Sequence, residues 1–108
     1  MRTLEADGLQ SDSRFMDGFV RSQFARGRGS LWVRQALRLQ GLAGEGLEAA
    51  LGEYDWDAAL ERVHGKKFGA AAPATPQEYA ARVRFLSQRG FEPDRIQALL
   101  RRLRRGDD

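Results

Sequence analysis

The chain repeats itself at a distance of 49 residues, from Val33–Leu51 to Arg82–Leu100. The register carries Leu37 onto Leu86, Gly41 onto Gly90, Leu42 onto Phe91, Leu47 onto Ile96 and Leu51 onto Leu100. Each copy reads as an apolar helix, a glycine that ends it, an apolar residue, a short polar turn and a second apolar helix. A unit of this length cannot bury its apolar face alone. It predicts a helical array in which neighbours complete one another's cores. An array of this kind favours a binding scaffold over a catalytic pocket.

At 108 residues the sequence is one domain at most, large enough for a modest core. It has no run of about 18 apolar residues, so no membrane span is expected. Met1–Gln10 carries acids and no apolar h-region, unlike a signal peptide. The absence of cysteine excludes disulfides and thiol chemistry. It fits a reducing compartment, and a cytoplasmic location is expected. The net charge of +3 hides a segregation. Arg21–Arg38 holds five arginines and no acid, Leu39–Glu61 six acids and no base, and Arg82–Arg105 eight arginines against Glu92 and Asp94. Sixteen of the 18 basic residues are arginine, which suits bidentate contact with carboxylate or phosphate. The competing reading is that these arginines only solubilise helix faces.

Helical spacing and end signals divide the chain further. Met1–Leu9 reads as the end of a helix closing on Gly8-Leu9. Ser11 or Asp12 can cap a helix over 13–26, whose apolar face is Phe15, Met16, Phe19 and Val20. Gly27-Arg28-Gly29 breaks it, and Ser30 is the expected cap of a helix over 31–40 that turns Val33, Ala36 and Leu37 inward. Gly41 supplies its left-handed end. A helix over 44–53 follows, burying Leu47, Ala50 and Leu51. Asp55 caps a helix over 56–68, with Trp56, Ala59, Leu60 and Val63 on one face. Gly69–Ala74 is linker-like. Thr75-Pro76-Gln77-Glu78 is a capping box with proline in the first helical position, opening a helix to 89. Pro93 opens the last helix, to 104, with Ile96, Leu99, Leu100 and Leu103 inward. The fold class is therefore all α, in tandem three-helix units: a tail over 1–10, one unit over 11–53 and another over 54–105.

No catalytic constellation emerges. His64 has no second histidine or cysteine with which to share a metal, and reads as an ordinary histidine. The acids of Leu39–Glu61 are not spaced as a calcium loop and read as a solvated face. Gly27-Arg28-Gly29 lacks the strand and the Lys-Ser/Thr of a phosphate loop. Trp56 reads as core. Trp32 is offset from the Val33/Leu37 stripe, and two readings stand: an exposed interface anchor, or part of a broad inward face.

Phe15–Val20, Arg26-Gly27-Arg28-Gly29-Ser30 and Val33-Arg34-Gln35-Ala36-Leu37 together resemble the middle repeat of the RecX family of bacterial RecA regulators. Asp55-Trp56, Lys66-Lys67-Phe68 and Arg84-Phe85-Leu86-Ser87-Gln88-Arg89-Gly90-Phe91 resemble its last repeat. The resemblance covers nearly the whole chain. It implies an elongated, curved molecule without cofactor or metal. It also implies a non-enzymatic protein that binds in the groove of the RecA–single-stranded-DNA filament and restrains ATPase, strand exchange and co-protease activity. Family members usually carry three repeats, and this chain opens in what would be the final helix of the first. Ser30, Trp32 and Ala36 stand where the family usually has proline, a base and an acid.

The expected partner contacts are Arg26, Arg28, Arg34 and Arg38 in the first unit, with Trp32 as the anchor candidate. In the second unit they are Lys66, Lys67, Arg84 and Arg89. The family motif matches Arg26, Arg34, Arg84 and Arg89. The expected partner is the RecA filament, with single-stranded DNA as a second. The alternative function is sequence-independent nucleic-acid binding. The helices around Gly41 resemble a helix-turn-helix, but Gly90 repeats the geometry, which suits a structural repeat better. A monomer is expected. An apolar patch near Leu4, Leu9 and one side of the 13–26 helix would be its route to self-association.

Overall fold

A computed structural model of the chain describes residues 2–42 and 44–106, with side chains from residue 14 onward except at 45. Among these residues there are six helices and no strand: α1 (Arg2–Ala25), α2 (Ser30–Leu39), α3 (Glu45–Gly52), α4 (Trp56–Phe68), α5 (Pro76–Gln88) and α6 (Pro93–Arg104). They form two successive three-helix units in a molecule measuring 61 × 24 × 19 Å.

One hydrogen-bond pattern ends α1, α2 and α5. After α2, Gly41 N–H donates to Arg38 O and Leu42 N–H to Leu37 O, both at 2.9 Å. After α5, Gly90 N–H donates to Ser87 O at 2.9 Å and Phe91 N–H to Leu86 O at 3.2 Å. After α1, Gly27 N–H donates to Phe24 O and Arg28 N–H to Gln23 O, at 3.1 and 3.0 Å. The pattern needs a left-handed residue, and the three glycines have φ of 80°, 98° and 85° respectively in that order of Gly41, Gly90 and Gly27. The repeat register is thus a register of backbone geometry.

Three local expectations need correction. A break at Gly8-Leu9 and a new helix near Ser13 were expected, but α1 is continuous from Arg2 to Ala25. Glycine inside a helix costs only about 1 kcal/mol, and Gly8 and Gly18 are both carried through. The side chains of Leu4, Leu9, Ser11 and Asp12, on which the expected patch and caps rest, lie outside the described residues. Ser30 does not cap α2; Gly29 holds the N-cap position with no side-chain bond. In the Thr75 box, Thr75 Oγ1 accepts from Glu78 N–H at 3.1 Å as expected, but Glu78 reaches past Thr75 to accept from Ala74 N–H at 2.8 Å. The Asp55 cap forms, accepting from Ala58 N–H at 3.0 Å.

Each unit has its own core. Met16, Val20, Val33, Leu37, Leu47, Ala50 and Leu51 fill the first, and Ala59, Leu60, Leu86, Phe91, Ile96, Leu99 and Leu100 the second. Leu37 and Leu86 are both 0 % exposed, as equivalent positions should be. Much of the apolar face of α1 is therefore covered within the protein: Met16 and Val20 enter the core, and Phe19 stacks on Trp32 at 6.2 Å. Phe15 stays 44 % exposed.

The units are stitched where they meet. Phe24 of α1 packs against the second core, while Tyr54 and Trp56 pack against the first. These three rings sit together, with Phe24 at 4.8 Å from Tyr54 and 5.2 Å from Trp56. Beside them the backbones touch. Gly29 N–H donates to Arg89 O at 2.7 Å and Leu31 N–H to Gly90 O at 2.8 Å. A Cβ on Gly29 would lie 2.4 Å from the Gly90 carbonyl, and one on Gly90 would lie 2.3 Å from Trp32 Cβ. The freed Ser30 hydroxyl donates to Glu92 Oε2 at 3.3 Å.

Leu37→Ala and Leu86→Ala should each destabilise by roughly 2–5 kcal/mol in urea denaturation; a near-neutral result at either position would break the equivalence. Two glycine substitutions should differ in sign. Gly65→Ala, inside α4 with nothing within 4 Å, should stabilise by about 0.5–1 kcal/mol. Gly29→Ala has ordinary φ but meets backbone, and should destabilise by about 1–3 kcal/mol. A thermal melt that orders the two variants the other way would contradict the contact.

Candidate partner-binding cleft

α4 turns two pairs of residues toward the joint at helical spacing, Arg62 with Lys66 and Val63 with Lys67. The last turn of α5 and its cap add Phe85 and Arg89, again four apart. The end of α1 brings Ala25, Arg26 and Gly27. Together they line an open cleft of about 320 Å³ between the two units. Among the described residues, five cations face it and no carboxylate does.

Two of these cations are fixed by the main chain. Arg89 donates through Nε to Gly27 O at 3.2 Å and through Nη2 to Arg26 O at 2.7 Å. Arg62 donates through Nη2 to Phe24 O at 3.0 Å, with its guanidinium 5.4 Å from the Phe24 ring. All three carbonyls belong to the end of α1, where the helix dipole is negative and cations are favoured. Lys67 Nζ lies 5.1 Å from the Phe85 ring. A Cβ on Gly27 would meet Val63 at 3.0 Å and Arg89 at 3.1 Å, so only glycine fits this wall without displacement.

The nine expected contact residues divide. Arg26, Lys66, Lys67 and Arg89 converge in the cleft. Arg28 lies over the Trp32 ring at 4.4 Å, and Trp32 is half-buried between Arg28 and Phe19. Trp32 therefore belongs to an aromatic row, Phe15–Phe19–Trp32, that ends on a guanidinium. Arg34 pairs with Glu48 across α2 and α3. Arg38 and Arg84 are exposed, with no ion pair among the described residues. Arg62, Val63 and Phe85 were not expected in a site. The first two carried a signal, since they precede Lys66 and Lys67 by one helical turn.

The acidic stretch is not simply a solvated face. Asp57 Oδ1 accepts from Arg95 at 2.7 Å, Glu61 pairs with Arg102, and Glu48 pairs with Arg34. These pairs tie α4 to α6 and α3 to α2. Charges segregated along the chain are thereby neutralised between helices, away from the cleft.

His64 is buried, 2 % exposed, and has a structural partner. Arg82 Nη1 lies 3.1 Å from its Nε2 and donates to Ala71 O at 2.7 Å. A guanidinium only donates, so Nε2 accepts and the ring is neutral with its proton on Nδ1. Burial, and then the charge of Arg82, lower the pKa of His64 from its ordinary 6.5. The unfolded chain therefore binds the proton more readily. The contribution of His64 to stability is intact above pH 6.5 and should be lost as pH falls below that toward the folded value. In denaturation at a series of pH values, His64→Gln should flatten this part of the profile; an unchanged slope would exclude His64 as its source. No cluster of three or more metal-binding side chains occurs among the described residues. No helix among them is long and apolar enough to cross a membrane.

Paired three-helix units, locked turn to turn beside a basic cleft, define a helical-repeat protein. The family models for the second and third three-helix domains of RecX match residues 11–51 and 53–100. A "Regulatory protein RecX" of Halorhodospira halophila is 36 % identical over 100 residues, 91 % of this chain and 62 % of the relative. One from Pseudomonas savastanoi pv. phaseolicola is 38 % identical over 107 residues, 97 % of this chain and 68 % of the relative. One from Acidithiobacillus ferrooxidans is 36 % identical over 97 residues. The chain belongs to the RecX family. It spans a little under two thirds of the length of most of these relatives, 62–64 % for several of them.

Proposed function

We propose that this chain is a non-enzymatic regulator of the RecA recombinase. It binds in the groove of the RecA–single-stranded-DNA filament and restrains ATPase, strand exchange and co-protease activity, working in the cytoplasm without a cofactor. Family membership supports the regulatory role. The observation that carries the reading to this chain is the convergence of Arg26, Lys66, Lys67 and Arg89 on one cleft with no acid among its described lining residues. A filament groove offers carboxylates and phosphates, and both form strong charge-assisted bonds with arginine. Arg28, Arg38 and Arg84 are further contacts in this reading. Trp32 contributes the aromatic body on which Arg28 rests. The chain acts as a monomer, with Phe15, exposed on α1, as a route to self-association.

Co-sedimentation with RecA filaments, together with the filament ATPase rate, tests this reading. The wild-type chain should pellet with filaments and slow hydrolysis. Arg38→Glu with Arg84→Glu should weaken pelleting roughly tenfold, equivalent to about 1.4 kcal/mol. Melting should hardly change, because exposed charges contribute about 0–1 kcal/mol. Absence of wild-type binding would remove the function; unchanged binding in the variant would remove these two arginines from the surface.

A further inference from the structure

The cleft between the units gathers five cations of the described residues without an acid beside them, against two in the groove that Arg101 and Arg104 line. Outside it several arginines meet acids: Arg34 meets Glu48, Arg95 meets Asp57 and Arg102 meets Glu61. In the cleft, Arg26, Arg62, Lys66, Lys67 and Arg89 share a volume of about 320 Å³, with no carboxylate among the described residues of its wall. Like charges held this close repel one another and raise the local concentration of anions.

The cluster is also partly pre-set. Arg89 spends Nε and Nη2 on main-chain carbonyls and leaves Nη1, while Arg62 spends Nη2 and leaves Nε and Nη1. Their planar forks are held before any ligand arrives, which lowers the ordering cost of binding. Lys66 and Lys67 add point charges on flexible stems. Fixed forks beside mobile ammoniums suit a ligand that delivers several charges and many acceptor oxygens in a small volume. Protein carboxylates arrive singly, each on its own side chain. The cations form a compact group at the joint, not a stripe along the 61 Å length, so the matching ligand is short.

We propose that this cleft is a binding site for closely spaced phosphate groups. Two sources offer that chemistry: a short run of phosphodiester backbone in a single strand, or the oligophosphate of a free nucleotide. The proposal deepens the reading of the cleft as part of the regulator's partner surface.

Titration calorimetry with inorganic triphosphate and with a short oligothymidylate tests it. The variants are Lys66→Glu/Lys67→Glu and, as an equal charge change outside the cleft, Arg101→Glu/Arg104→Glu. At least one probe should bind the wild type, and the cleft variant should weaken it by roughly tenfold or more while the control stays within about twofold. Binding of triphosphate alone names the free nucleotide as the source. Binding of oligothymidylate, with the salt slope reduced by about 1.4 when two lysine contacts are lost, names the strand. If the double variant melts early, Lys66→Glu alone should show the same direction, since Lys66 has no ion pair among the described residues. Failure of both probes to bind overturns the proposal, as does equal loss in both doubles or no loss in the cleft variant. RecA co-sedimentation in parallel separates the two ideas. Filament binding without phosphate binding removes the phosphate site and keeps the regulator, whereas phosphate binding without filament binding does the reverse.

Discussion

Helix ends that are satisfied by the other unit hold this structure together. The first N–H groups of any helix and its last C=O groups lack partners within the helix. α2 has no side-chain cap, and Leu31 N–H is met by Gly90 O, at the end of α5. The negative end of one helix dipole faces the positive end of another. At the end of α1 the exposed carbonyls of Phe24, Arg26 and Gly27 are met by Arg62 and Arg89 from the second unit. At the joint each unit thus supplies partners for helix-end groups of the other. The glycines at 29 and 90 follow from this, because a side chain on either would separate backbones that must bond.

The same requirement builds the cleft. Arg62 and Arg89 are drawn to the joint by carbonyls, and Lys66 and Lys67 come with them because they lie one turn beyond Arg62 and Val63 on α4. Structural capping and positive potential are therefore one arrangement. The acids that might have neutralised it are engaged elsewhere, between α4 and α6 and between α2 and α3.

Much of this was legible in the chain itself. The Leu37/Leu86 and Gly41/Gly90 register gave the repeat, because apolar spacing and a left-handed glycine are local signals. Asp55 and Thr75 announced their helices for the same reason. Ser30 misled, since a serine ahead of an apolar run is the ordinary sign of a cap, and what displaces it is a carbonyl 60 residues away in sequence, at Gly90. Gly8 misled in the opposite sense: a glycine marks a turn only where the chain has somewhere to turn. Of the candidate site, the basic residues could be named but not grouped. Arg26 and Arg89 lie 63 positions apart, and only the joint makes them neighbours. Arg62 went unnoticed because it stands at the edge of an acidic stretch, although its spacing to Lys66 is one helical turn.

The joint is also unequal. The turn between α1 and α2 is seated on the turn between α5 and α6, so one surface offers and a different surface receives. A contact of this kind adds units in succession and has no two-fold axis of its own. Gly41 is the counterpart of Gly90 in the first unit, and nothing among the described residues lies within 4 Å of its Cβ position, so no described turn is seated on it as one is on Gly90. The molecule consequently has a direction. Reversed end for end it presents a different surface, and along any polar lattice its two orientations are chemically distinct.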